Sequence, residues 1–302
     1  MDDSGPDRDT TLHTTRRRML AATGALTIGG LAGCTELTNQ GTETGTATGT
    51  PTQTPVTSMP DGLALWLHPD SETVLGDDGV ETWRDDSGNG NDLGQSVADY
   101  RPALVEDAVA GQPTVAFDGE DDHLLREDTA GVPDDSARTF VVVAALSDRS
   151  ARQPMLTQGT YGSNGSDVNH YGIEANTFNT SGNRFGAFLV DAAYDTERET
   201  DTEYHVHTLR TETFPDAGDI QSSTSYYVDG SETALGVAAS TDSDGTAFAG
   251  DATALGSFAL PSPSEVMHGS VAEVRVYDRA LPDNERSFVE SALLEEYDIQ
   301  SE

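Results

Sequence analysis

The chain of 302 residues contains no lysine, only one cysteine and no apolar run long enough to span a bilayer. Each absence excludes something. Without lysine, 16 arginines face 53 acidic residues and the formal charge is −37. Beyond the leader there is no basic cluster of the kind a phosphate backbone requires, which excludes nucleic acid as a ligand. With Cys34 as the sole cysteine, no intramolecular disulfide can staple the fold. The longest apolar segment, Leu20 to Leu31, has 12 residues diluted by Gly24, Gly29 and Gly30, well short of the ~20 that a spanning helix needs.

That short segment lies behind Thr15-Arg16-Arg17-Arg18 and ahead of Leu31-Ala32-Gly33-Cys34, the order of parts in an export signal. The paired Arg16 and Arg17 resemble a twin-arginine signal. The Leu-Ala-Gly-Cys tetrad resembles a lipoprotein box, which implies that residues 1–33 are removed and that Cys34 is lipidated. The alternative, a buried N-terminal helix with Cys34 as a core thiol, fits poorly with the adjoining segment. From Thr35 to Pro60 the chain is Thr, Gly, Pro, Gln and Ser with almost no apolar side chain, a composition that cannot bury enough surface to offset its own ordering entropy. Residues 34–60 read as a tether, which puts the protein on the extracellular face of the membrane with lipid as its first partner.

Acids and arginines cancel within residues 1–33, so the mature chain keeps the whole charge of −37. At roughly 1 M salt the Debye length falls to about 3 Å, and acids spread over a surface then hold water and cations instead of repelling one another. The composition resembles that of secreted proteins from extremely halophilic archaea. An acidic patch for a basic partner would concentrate the acids, whereas here they run throughout residues 61–302.

Residues 61–302 form one block of about 240 residues, within the range of a single all-β domain. Short apolar or alternating runs are separated by Gly, Asp, Asn and Ser clusters. Strands are expected at 62–68, 113–117, 139–146, 171–174, 184–190, 204–210, 225–228 and 271–277. In the last, Ala272, Val274 and Val276 alternate with Glu273, Arg275 and Tyr277, which predicts a half-buried strand. Val289, Leu293 and Tyr297 come next at helical spacing behind Pro282, so one terminal helix is expected. Strands without βαβ alternation point to a sandwich or jelly roll.

Three successive stretches, Leu63-Ala64-Leu65-Trp66-Leu67, Trp83 through Asp92, and Pro113 through Leu124, resemble blocks of the concanavalin A-like, laminin-G-like jelly-roll domains. Tyr226-Tyr227-Val228-Asp229-Gly230 and Gly269 through Leu281 resemble the later hairpin and closing strand of that family. The resemblance implies a jelly-roll sandwich across 61–302. It leaves function open, since the fold carries lectins, adhesion modules and glycoside hydrolases.

Glu199-Thr200-Asp201-Thr202-Glu203 has the Glu-x-Asp-x-Glu spacing of laminarinase-type hydrolases, which on one strand would set three acids on one face. The intervening residues are apolar in that family and threonine here. His205 and His207, with Glu203, allow a metal triad by spacing, although packing or hydrogen bonding explains the pair as well. Asp86, Asn89 and Asn91, together with Asp118, Asp121 and Asp122, are oxygen-rich and suit structural calcium. They also suit turns around Gly88, Gly90 and Gly119. Asn164 and Asn179 head glycosylation sequons, and Tyr161, Tyr171, Phe178, Phe185, Phe188 and Tyr194 concentrate the aromatics of the middle third.

The expectation is a lipid-anchored surface protein whose jelly roll binds a polysaccharide or surface glycoprotein without catalysis. A glycoside hydrolase or polysaccharide lyase is the alternative, and a structural envelope component the second.

Overall fold

The computed structural model describes residues 56–301 except 77, 162–167, 178–181, 191, 215–219, 241–247, 249 and 260–264. Cys34, Arg16, Arg17, Asn164, Asn179 and Phe178 lie outside the described residues. In chain order the strands are β1 (Leu63–Leu67), β2 (Thr73–Gly76), β3 (Gly79–Trp83), β4 (Leu93–Gly94), β5 (Ala103–Val109), β6 (Gln112–Asp118), β7 (Leu124–Arg126), β8 (Arg138–Leu146), β9 (Gln153–Tyr161), β10 (Val168–Ala175), β11 (Arg184–Val190), β12 (Ala192–Glu199), β13 (His205–Thr211), β14 (Thr224–Val228), β15 (Ser231–Thr233), β16 (Leu235–Ser240), β17 (Thr253–Leu255) and β18 (His268–Tyr277). A single α-helix, α1 (Asp283–Glu296), comes after them among the described residues. Among the described residues no helix is long and apolar enough to cross a membrane.

The strands make two antiparallel sheets packed as a sandwich. One runs β15-β14-β13-β8-β18-β6-β5, with β1 also on β18; the other runs β16-β12-β11-β10-β9-β17-β7-β4-β3-β2. Side chains alternating along each strand fill the space between them. Phe140, Val142 and Ala144 of β8 meet Tyr171, Ile173, Phe185, Ala187 and Leu189 of β10 and β11 in one core. Val141 and Val143 of β8 face outward onto Val289 and Leu293 of α1 and onto Tyr297, its C-cap. A strand covered on both faces reads as an unbroken apolar run, which is why Thr139 to Leu146 stands out in the sequence.

Strand β18 departs from the expected half-exposed pattern. Glu273, Arg275 and Tyr277 are buried like the valines between them, because α1 with Tyr297, the Trp66 side chain and Met59 cover the polar face. Glu273 satisfies its burial by accepting from Trp66 Nε1 at 2.7 Å, Arg275 Nε at 2.6 Å and the Tyr297 hydroxyl at 2.7 Å. Pro282 is the N-cap of α1 and leads into Asp283 and Glu285 in the first turn, an arrangement that suits the helix dipole.

Candidate functional site

One row across the outer face of the ten-stranded sheet carries Gly94, Ala254, Thr157 and Gly172 together with the larger Leu125 and Phe188. Gly94 pairs with Leu125, Leu125 with Ala254, Ala254 with Thr157, Thr157 with Gly172 and Gly172 with Phe188. Their neighbours one residue along, Leu93, Leu124, Leu255 and Leu156, point the other way into the core. The small side chains of that row leave room for loops or ligand to lie upon them.

At its β3-β4-β7 end this face opens into a cleft of about 560 Å³ lined by Glu81, Thr82, Gly94, Gln95, Ser96, Val97, Tyr100, His123, Leu125 and Glu127. Its wall is the segment 95–100, ending in a 3-10 turn at Ala98–Tyr100 that leaves Tyr100 39 % exposed. The floor is fixed by hydrogen bonds. The Gln95 Oε1 accepts from Val97 N at 2.9 Å, and the Gln95 Nε2 lies 2.9 Å from His123 Nε2. His123 Nδ1 lies 2.9 Å from the Asp121 carbonyl. A carbonyl only accepts and this amide nitrogen only donates, so the ring carries its proton on Nδ1. Beneath, Arg101 donates to the Gln95 carbonyl at 2.9 Å and pairs with Glu81 at 3.0 Å. An exposed aromatic ring beside fixed polar groups in an open cleft is the mixture of apolar surface and oriented polar groups found in small-ligand sites.

The middle of the same face is filled. Arg152 donates from Nε to Glu174 at 2.8 Å and from Nη1 to Glu265 at 3.0 Å. The guanidinium lies 4.4 Å from the Phe258 ring and 5.3 Å from that of Phe188, and His170 stacks on Phe188 at 3.7 Å. Burial raises the Glu174 carboxyl to about 7, with Arg152 pulling the other way and the charges of Glu265 and Asp195 adding to the rise. Burial, then Arg152, holds His170 well below the usual histidine value. Glu174 and Asp195 both pair with Gly186 and so share one row across three strands. The sequence does not reveal these acids as a set, because the sheet joins residues 152, 174, 195 and 265 from separate strands and loops.

The acids singled out by spacing are arranged differently. β12 ends at Glu199, and residues 200–204 are a loop, so Glu199, Asp201 and Glu203 do not share a strand face. Asp201 instead accepts from His205 Nε2 at 2.8 Å, while Asp229 meets His205 Nδ1 at 2.6 Å and Val206 N at 2.9 Å. Burial would lower the His205 value, but hydrogen bonds and charge from Asp229 and then Asp201 outweigh it and raise it. With both ring nitrogens occupied, His205 acts as a clamp at the wall of a second cleft, of about 370 Å³. His207 is buried against Phe185 and 3.2 Å from the Tyr226 hydroxyl; burial and then His205 hold it well below the usual range.

Asp118, Asp121 and Asp122 bring one carboxylate oxygen each within 4.8 Å of one another. Burial and the charge of Asp118 raise Asp122 to about 7, a cost that a cation between them would relieve. Asp86, Asn89 and Asn91 lie in the other turn. Asp86 faces His68 at 2.9 Å, while the amide nitrogens of Asn89 and Asn91 donate to carbonyls of Leu63, Ala64 and Ala130. Gly88 and Gly90 take φ of +90° and +73° in that turn. Of the aromatics in the middle third, Tyr171, Phe185, Phe188 and Tyr194 are buried. Tyr100, which sits in a turn with no periodic pattern around it, presents its ring to solvent instead.

No family model and no curated protein matches the sequence. Solved structures match the fold. The Trypanosoma rangeli sialidase in complex with sialic acid aligns at TM-score 0.52 and 17 % identity, over 79 % of this chain and 34 % of that one. The same sialidase in complex with 2,3-difluorosialic acid, a covalent intermediate, aligns at TM-score 0.52 and 17 % identity, over 80 % and 36 %. The CBM40 of the Ruminococcus gnavus IT-sialidase bound to α2,3-sialyllactose aligns at TM-score 0.41 and 16 % identity, over 58 % and 95 %. This chain spans about a third of the sialidase structures it matches, and at such identity the likeness is one of fold, an antiparallel β sandwich.

Proposed function

We propose that this protein is a non-catalytic glycan-binding module displayed on the outer face of a cell membrane. The observation that carries the reading is the Tyr100 cleft, at the β3-β4-β7 end of a sheet face whose middle is filled by Arg152, Glu174 and Phe258. Arg16 and Arg17 direct export, the lipid on Cys34 holds the chain to the membrane, and residues 34–60 lift the domain away from it. Asp118, Asp121 and Asp122 would hold a hard cation such as calcium beside the cleft, since Asp121 also supports His123. Asn164 and Asn179 would carry sugar of their own.

Hydrolysis is the second reading, and Glu174 with Asp195 and Glu265 on the same face is what favours it. Against it, Glu174 and Phe258 are fully buried and Glu174 is engaged by Arg152. A polysaccharide panel in about 3 M salt separates the two. Retention of a glycan without new reducing ends is expected. New reducing ends that vanish in Glu174→Gln would replace the binding reading with the hydrolytic one.

A further inference from the structure

Several nitrogen donors around the Tyr100 cleft are directed into the protein. Gln95 Nε2 is directed to His123, His123 Nδ1 to the Asp121 carbonyl, and Arg101 to the Gln95 carbonyl and Glu81. The backbone N–H groups of Gln95, Val97, Tyr100, Arg101 and His123 are likewise bonded, to Glu81 O, Gln95 Oε1, Val97 O, Ala98 O and Tyr100 O. What the lining offers a ligand is the carboxylates of Glu81 and Glu127, hydroxyls and the Tyr100 ring. Carboxylates only accept. A sugar acid would bring more acceptors and more negative charge to a surface that has both already, with no arginine among the described lining residues to receive it.

Resting on the reading of this cleft as the glycan site, we infer that it selects sugars bearing a free ammonium group, the hexosamine units of a de-acetylated polymer, over N-acetylated or acidic ones. An ammonium supplies three donors and a charge that suits both Glu127 and the face of Tyr100. Glu81, already paired with Arg101, orients the wall; Glu127, which is exposed at the rim, receives the cation.

The test measures affinity for glucosamine, N-acetylglucosamine and uronate oligomers of equal length, using the whole mature chain and its Glu127→Gln variant. Circular dichroism verifies that both are folded. The expected result is a preference of about tenfold, equivalent to roughly 1.4 kcal/mol, for the glucosamine oligomer over the N-acetylated one, with the uronate weakest. The preference should collapse toward unity in Glu127→Gln and when pH is raised past the amine's own titration. Binding of the N-acetylated or uronate oligomer as tight as that of glucosamine, or a preference that survives Glu127→Gln, overturns the selectivity and leaves the glycan reading standing. No binding of any oligomer overturns both.

Discussion

Glu174 sets burial against an ion pair, and the winner has a measurable sign. Its side chain is buried beside Arg152, which donates to Oε2 at 2.8 Å and to Oε1 at 3.3 Å. The carboxyl nevertheless rises from the usual 4.5 to about 7, since burial penalises its ionised form and the negative charges of Glu265 and Asp195 add to the rise. A carboxyl with a raised folded value favours the native state most when both states hold the proton, below pH 4.5. That contribution falls by about 1.4 kcal/mol per pH unit between 4.5 and 7, some 3 kcal/mol in all. Glu174→Gln keeps the shape and removes the titration. Urea unfolding of both proteins at fixed high salt, from pH 4.5 to 8, should therefore show the variant gaining about 3 kcal/mol on the parent as pH rises, with the other groups cancelling in the difference. A difference that is flat, or that moves the other way, would mean that Arg152 outweighs burial and that Glu174 is ionised in the native protein throughout.

Four further outcomes are expected. Asp229→Ala should cost about 3 kcal/mol, because it strips His205 of its buried partner and Val206 N of its acceptor. Since His205 is raised, the stability that depends on it is full below pH 6.5 and is lost as pH rises through the folded value; thermal midpoints should show the penalty shrinking in alkali, and a penalty that grows there would contradict the clamp. Calcium at 100 times its Kd should stabilise the domain by roughly 3 kcal/mol and lose that effect in Asp118→Ala with Asp122→Ala, whereas an equal response in parent and variant would remove the carboxylate turn as the site. Cys34→Ser should release the protein into the medium and Arg16→Lys with Arg17→Lys should block its export; fractionation showing a membrane-bound serine variant would refute lipidation.

The strands that pack on both sides are legible in the sequence. β11 occupies Arg184–Val190 as its apolar run indicates, and β13 lies one residue beyond the expected 204–210. β5, β9, β12 and β16 are not, because their ladders are set by neighbours and by outward positions kept small or polar. In β5 most side chains are exposed, and β12 carries Asp195, Glu197 and Glu199 in what reads as a solvated run. The terminal helix is clear from Val289, Leu293 and Tyr297, all buried. The cleft is not, since Gln95, Tyr100 and His123 converge from a loop, a 3-10 turn and the residue before β7. The buried charges of β18 read as a wet face in the sequence because no pattern in the strand records that α1 covers it.

The central claim is that the Tyr100 cleft binds glycan, and the most direct measurement is the affinity of the parent and of Tyr100→Ala for the best-retained glycan of the panel, at matched salt. Truncating an aromatic ring that anchors a ligand in a binding site removes about 2 kcal/mol, so affinity should fall roughly thirtyfold with the thermal midpoint unchanged. Undiminished affinity in a folded Tyr100→Ala protein would place the glycan elsewhere and contradict the account.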